Sequence, residues 1–324
     1  HEGAETVLAG MAGSGASSTR LAAVEGLAQQ ADTEYLDIAL AALMDPAPEV
    51  RHTAATNLEA FDSHSVFQGV MTLLCAHWPY VREPLGTVLP LLAGHLEEPM
   101  LDALESTSET PRWRMAAAFG LACMRSDAAL EPLASNAWTD DTELAVACAE
   151  ALASMGRADA APLIEPLLQH PVPEVRRVAL EGLGLIGTPR VIEPLKTLAS
   201  KSGETARALQ GRAVGILAGL PYEAATAALI EVMKKNSSMR REATHALRWR
   251  TGMDFGDSPS VWVRWYENVT SGRIPHGMPG QDLRDLPLWF GAFAPPPDGV
   301  ASADDSPVSG EDRAEKANRD SMVD

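Results

Sequence analysis

The sequence predicts an all-α fold: a right-handed α-solenoid of about eight helix pairs, with a C-terminal capping helix and a disordered tail. Three observations predict it. An apolar anchor recurs every 30 to 34 residues, and each anchor is followed eight residues later by Leu. Of the 324 residues 46% are hydrophobic but only 5% are aromatic. Such a composition supplies a sizeable core while favouring close packing of small side chains over a β-sandwich.

The anchors are Thr19, Val50, Val81, Trp113, Leu144, Val175, Leu209 and Met239, and the paired leucines are Leu27, Leu58, Leu89, Leu121, Leu152, Leu183, Leu217 and Leu247. Four residues after each anchor stands Ala23, Ala54, Leu85, Ala117, Cys148, Ala179, Ala213 or Ala243. At 3.6 residues per turn these three positions share one helical face. That face is the expected core seam.

Each unit opens with a helix. Its start is marked two residues before the anchor by Pro48, Pro79, Pro111 and Pro173, where a missing N–H costs nothing, or by the capping types Ser17, Thr142 and Ser237. A break rich in Gly, Asp, Ser or Pro follows. A second amphipathic run then covers 35–43, 66–74, 99–104, 128–133, 161–168, 191–198 and 224–232. One pair of about 30 residues cannot bury both apolar stripes alone, so the pairs must stack. Trp78, Pro79 and Tyr80 in the third unit, and an extra turn at 201–207, predict altered stacking at those two places.

Residues 173–187 read PEVRRVALEGLGLIG and continue through Pro189 to Leu198. This segment resembles the HEAT repeat family in its short bacterial form, named after the phycocyanobilin lyases. The resemblance covers roughly residues 16–250. It implies the fold and leaves activity open, because the family's repeats serve as scaffolds, inhibitors, lyases and nucleic-acid enzymes.

After Leu247 a Thr251-Gly252-Met253-Asp254-Phe255-Gly256 turn leads to Ser258 and Pro259, which read as the N-cap and first residue of a last helix. Trp262, Trp265 and Phe255 are bulky enough to seal the end of the spine. The chain then divides by composition. Residues 1–15 form a flank, 16–270 the solenoid with its cap, 271–294 an extended Pro/Gly-rich arm, and 295–324 an acidic tail expected to be disordered. The arm carries one apolar island at 286–293, including Trp289 and Phe290, which packs on the solenoid's own end or docks on a partner.

With 26 basic and 44 acidic side chains the formal charge is −18. Its distribution is uneven. Residues 1–170 carry 7 basic and 24 acidic groups, residues 171–280 carry 15 and 10, and residues 281–324 carry 4 and 10. An anionic partner would choose the middle, and nucleic acid would be repelled by the rest. No apolar run approaches the roughly 20 residues that span a bilayer, so membrane insertion is not expected. Residue 1 is His, which suggests a processed or truncated N-terminus with any targeting segment upstream. Cys75, Cys123 and Cys148 lack metal or disulfide spacing and read as small core residues.

Chemical motifs find no structural context. Gly182-Leu183-Gly184-Leu185-Ile186-Gly187 spells a dinucleotide fingerprint, but it ends a helix instead of following a strand. The eight histidines lack the H-E-x-x-H spacing, and the one His-Glu dipeptide, His1-Glu2, lies outside the repeats, unlike the His-Glu pairs of HEAT-like deoxyhypusine hydroxylases. G-x-S-x-G and P-loop motifs are absent. Paired carboxylates such as Glu97/Glu98 and Asp140/Asp141 read as solvated charge. No catalytic residue, metal or cofactor is expected.

Two basic features remain. Arg follows the anchor in six repeats, as Arg20, Arg51, Arg82, Arg114, Arg176 and Arg240, either as a phosphate track or, the expected reading, as bonds fixing the stacking register. Near the end, Lys234, Lys235, Arg241, His245, Arg248, Trp249 and Arg250 form a candidate dock for a protein partner with an acidic segment, joined by Trp289 and Phe290. The expected function is a non-catalytic scaffold for protein–protein interaction. The alternatives are a chromophore or prosthetic-group lyase of the phycocyanobilin type, or a nucleic-acid enzyme like the HEAT-like alkylpurine DNA glycosylases.

Overall fold

The structure, a computed structural model, describes residues 10–27, 35–76, 80–201 and 207–271, and every regular element among them is helical. Repeat 1 pairs α1 (Ser17–Leu27) with α2 (Leu36–Ala42), and repeat 2 pairs α3 (Pro48–Leu58) with α4 (Ser63–Ala76). Repeat 3 has a short α5 (Arg82–Gly86), a 3₁₀ turn at Leu89–Leu92, and α6 (Ala93–Glu105). Repeat 4 pairs α7 (Pro111–Met124) with α8 (Leu130–Asn136). Repeat 5 pairs α9 (Thr142–Ser154) with α10 (Ala161–Ile164), which continues as a 3₁₀ turn at Glu165–Gln169. Then come α11 (Pro173–Ile186) with α12 (Ile192–Ser200), and α13 (Arg207–Gly219) with α14 (Glu223–Lys235). The eighth repeat pairs α15 (Arg240–Thr251) with α16 (Pro259–Thr270).

The recurring leucine explains the stacking. Leu58, Leu89, Leu121, Leu152, Leu183, Leu217 and Leu247 are all 0% exposed; the side chain of Leu27 lies outside the described residues. The small residues four positions earlier are buried with them, from Ala23 to Ala243. First helices lie on first helices (α1 on α3, α7 on α9, α9 on α11) and second on second (α4 on α6, α12 on α14). One hydrophobic cluster therefore runs from Val24 to Trp265. Each fully buried Leu contributes about 1.5–3 kcal/mol by area, and the neighbouring repeat supplies much of the cover.

Several expected boundaries shift. The second helix of repeat 3 begins at Ala93, not at residue 99, and carries Pro99 inside it. Burial of Leu96, Met100 and Leu104 on one face holds that register against the backbone bond Pro removes. The first helix of repeat 3 is cut to five residues, the form the expected departure takes; residues 77–79 and 202–206, which include Trp78, Pro79 and the core of the extra turn, lie outside the described residues. Thr142 is the first helical residue, and the cap is Asp141, whose carboxylate accepts from the Leu144 N–H at 2.9 Å. Asn236 likewise takes the capping role expected of Ser237.

The C-terminal cap has the expected form. Pro259 opens α16, Trp262 is fully buried, and its Nε1–H donates to the Gly256 carbonyl at 2.9 Å. Phe255 stands 4.9 Å from the Trp262 ring and 5.8 Å from Trp265. The 271–294 arm and the tail lie outside the described residues.

The dinucleotide-like glycines have packing roles instead. A Cβ on Gly182 would lie 2.5 Å from Ala153 Cβ and 3.1 Å from its Cα, so the first helices of repeats 5 and 6 touch there. Gly187 has φ 59° and caps α11 in the left-handed conformation. By contrast, Gly215 on α13 faces open space. Urea unfolding should therefore separate two identical substitutions. Gly215→Ala is expected to stabilise by about 0.5–1 kcal/mol through helix propensity, while Gly182→Ala should destabilise by about 1–3 kcal/mol through overpacking. Stabilisation by both would show that repeats 5 and 6 do not approach as described.

Candidate functional site

Four of the six ladder arginines bond loop or side-chain oxygens of the chain itself. Arg20 Nη1 donates to the Ser14 and Gly15 carbonyls at 2.9 and 3.1 Å, Arg51 Nη1 to those of Asp45 and Pro46 at 2.8 and 3.1 Å, and Arg176 Nη1 to those of His170 and Pro171 at 2.6 and 2.8 Å. In all three the acceptors lie six and five residues upstream, in the loop that enters the same repeat. The sequence reading expected bonds to the adjacent unit, and Arg20 adds one: its fork meets Asp45, at the entrance to repeat 2, at 2.6 and 2.9 Å. That pairing holds the Asp45 carboxyl below its ordinary pKa. Arg114 binds the Leu104 carbonyl and the Asn136 side chain. Guanidinium groups so engaged satisfy loop carbonyls that would otherwise be orphaned near the core. Arg82 instead pairs with Glu150 at 3.4 Å with its side chain 46% exposed, and the buried Nε of Arg240 has no hydrogen-bond partner among the described residues.

The C-terminal basic residues divide. Arg241, His245 and Arg248 are exposed at helical spacing on α15, as expected. Arg248 also pairs with Asp254 at 2.7 Å. Lys234 and Lys235 are exposed in the last turn of α14, 3.7 and 2.9 Å from Glu231, where they complement the helix dipole. Trp249 is half-buried against the core. Arg250 is a correction: only 8% exposed, it donates to the carbonyls of Ala218, Leu220 and Tyr222 and to Thr226 Oγ1, and so ties α15 to repeat 7. Burial lowers its pKa to about 10. It is unreachable for a partner. Trp289 and Phe290 lie outside the described residues.

Sequence reasoning missed the opposite charge. The second helices of repeats 1–5, with the 3₁₀ extension to Gln169, contain no Lys or Arg. They expose Asp37, Glu98, Asp102, Glu105, Glu131 and Glu165, none of which has an ion-pair partner among the described residues. The arginines of that half sit on first helices or in loops, where Arg20, Arg51, Arg82, Arg114 and Arg157 are already bonded. At the end of α8 Trp138 is 48% exposed, its ring 4.7 Å from that of His170, which is 2% exposed. The signal was available: five successive second-helix segments without a cation.

Two concavities among the described residues are open grooves. One of about 330 Å³ lies between the first helices of repeats 3–5, around Phe119 and Cys123; Arg82 stands 5.5 Å over Phe119 and 3.4 Å from Glu150 at its rim. The other, about 400 Å³, lies at the N-terminal end beside Val24 and Ile38. Burial raises the thiol pKa of Cys123 to about 11 and of Cys148 to about 12, far from the thiolate range. Among the described residues no cluster of three His, Cys, Asp or Glu could hold a metal ion. No described helix is long and apolar enough to cross a membrane.

Residues 4–90 and 139–211 match the family model of HEAT repeats. Among solved structures, an engineered protein is 18% identical over 83% of this chain and 82% of its own, with TM-score 0.37. A complex of Kap95p with RanGDP is 14% identical over 83% of this chain and 48% of its own, with TM-score 0.41. The CpcE–CpcF complex of phycocyanin lyase from Nostoc sp. PCC7120 is 21% identical over 82% of this chain and 94% of its own, with TM-score 0.27. No curated protein matches the chain.

The two arginines of α15 should part company in a denaturant titration. Removing Arg250 leaves three carbonyls and a hydroxyl without their donor, so Arg250→Ala is expected to cost at least about 2 kcal/mol. Arg241→Ala should stay within about 0.5 kcal/mol. Equal effects would contradict the buried placement of Arg250.

Proposed function

We propose that this chain, a HEAT-repeat protein, is a non-catalytic scaffold that binds another protein along its solenoid surface. The observation that carries this reading is the single apolar spine, which consumes the buried stripe of every helix pair and leaves two long helical layers facing solvent. Open layers of this kind suit extended contact, and the concavities between repeats are grooves too shallow to exclude water from a reaction.

The partner's acidic segment meets the α15 face. Arg241 and His245 supply its charge and the half-buried edge of Trp249 an apolar anchor. Arg248 contributes after releasing Asp254. The surplus acid of the N-terminal repeats does not prevent this, since fields fade over a Debye length of about 8 Å at physiological salt.

Fluorescence anisotropy with a labelled Asp/Glu-rich peptide tests the reading at physiological ionic strength. Full-length protein is expected to bind it, and the Arg241→Ala/His245→Ala double variant to bind at least fivefold more weakly. Equal affinity for both proteins would remove the α15 face from the reading. An absorbance titration with a bilin is expected to leave the chromophore spectrum unchanged, and a DNA duplex to bind more weakly than the peptide. A spectral shift, or tight salt-sensitive binding of the duplex, would replace the scaffold with one of the enzymatic alternatives.

A further inference from the structure

We propose that the joint between repeats 5 and 6 is a pH-sensitive hinge: protonation of the buried His170 imidazole releases the turn that leads into α11 and unseats the Trp138 ring resting on it. The inference is independent of the scaffold reading and goes beyond it. Three observations lead to it.

One turn is built twice, from different chemistry. Residues 45–51 read DPAPEVR and residues 170–176 read HPVPEVR. In both, the first side chain accepts the backbone N–H two residues on: that of Ala47 at Asp45 Oδ1, 2.8 Å away, and that of Val172 at His170 Nδ1, 3.1 Å away. In both, the closing arginine, Arg51 or Arg176, donates through Nη1 to the first two carbonyls. A carboxylate stays an acceptor at neutral and mildly acidic pH, whereas an imidazole nitrogen accepts a hydrogen bond only while unprotonated. A proton on Nδ1 would set two N–H donors against each other and open the turn.

The counter-charge is missing where the imidazole stands. Asp45 pairs with Arg20, 25 residues before it. The residue 25 positions before His170 is Ala145. The surrounding elements carry Glu131, Asp140 and Asp141 from repeat 4 and the loop after it, Glu165 from repeat 5, Glu174, Arg176 and Arg177 on α11, and Lys201 after α12. Asp141 caps α9, Glu174 holds Arg177, and Lys201 donates to Gln169 Oε1 at 2.8 Å. Of these groups Arg176 bears on the ring, and it is a cation. An imidazolium there would have no carboxylate to offset it.

The ring is also shut in. His170 is 2% exposed, and Trp138 from the loop after α8 covers it, with ring centroids 4.7 Å apart and planes inclined at 54°. Burial first, and the Arg176 charge with it, hold the His170 pKa below the ordinary histidine value. Attraction of a charged ring to the indole face opposes this, and burial outweighs it. The unfolded turn takes up its proton near pH ~6.5, above the folded value. Stability of the turn is therefore full above about pH 6.5 and is lost as pH falls toward the folded pKa.

Amide exchange followed by NMR in the full chain tests this, with Ala47 as the internal control for Val172. Protection factors remove the pH dependence of the intrinsic exchange rate. Between pH 7.5 and pH 5.5 the Val172 amide is expected to lose protection at least about fivefold and the Ala47 amide less than about twofold. His170→Asn keeps an acceptor for Val172 but takes up no proton in this range, and its loss at Val172 should also stay below about twofold. Acrylamide quenching of Trp138, taken as the difference from Trp138→Phe, is expected to rise at pH 5.5 in the unmodified chain and stay level in His170→Asn. Unchanged protection at Val172, an equal loss at Ala47 or in His170→Asn, or level quenching of Trp138 in the unmodified chain would overturn the proposal. If circular dichroism shows His170→Asn unfolded at pH 7.5, the comparison of Val172 with Ala47 in the unmodified chain decides alone. Binding of the acidic peptide at α15 is read at neutral pH through other residues, so either proposal can fail without the other.

Discussion

The structure depends on a leucine that cannot be covered within its own repeat. Seven of these side chains are fully buried, together with the small residue one turn earlier, and a single helix pair lacks the surface to enclose both its stripes. Burial therefore requires a neighbour on each side. From this constraint follow the stacked layers, the need for a C-terminal plug of Phe255, Trp262 and Trp265, and the close contact that demands Gly182. Small residues at the seam let first helices approach, and a short α5 is tolerated because Leu85, Leu89 and Leu92 still reach the core.

Polar chemistry follows from the same stacking. Several turns into a new repeat bring carbonyl groups close to the apolar spine, where an unpaired acceptor is costly. The chain answers with side chains that reach back to them: Arg20, Arg51 and Arg176 to the loop before their own helix, Asn57 to Val24 and Asn236 to Ala199 in the preceding repeat. Cations spent in this way are withdrawn from the surface, while exposed carboxylates remain on both layers, as with Glu49 and Glu143 on first helices and Glu98 and Glu131 on second. The bonded arginines and the second helices of repeats 1–5 without Lys or Arg together leave that half of the surface acidic.

Much of this was legible in the residues. A thirty-one-residue period with Leu at a fixed offset admits few folds, because that offset places the residues on one helical face whatever else varies. Boundaries were less legible: Pro99 marks a helix start by propensity, yet burial of Leu96 carries the helix through it. For the site, spacing placed Arg241, His245 and Arg248 together but could not tell that Arg250, two residues further, turns inward to carbonyls of repeat 7. That choice depends on contacts about 30 residues away in sequence, which periodicity does not encode. The acidic face needed the assignment of each charge to a layer, information that net charge by segment averages away.

Equilibrium unfolding of a leucine-to-alanine series at positions 58, 89, 121, 152, 183, 217 and 247 in the full chain puts the shared spine to the most direct test. Each variant is expected to lose about 2–5 kcal/mol, the cost of a cavity in a packed core, with the terminal repeats showing the smaller losses because one side of their stack is thinner. A position in the middle repeats that loses less than about 0.5 kcal/mol would place its leucine in solvent and break the account there.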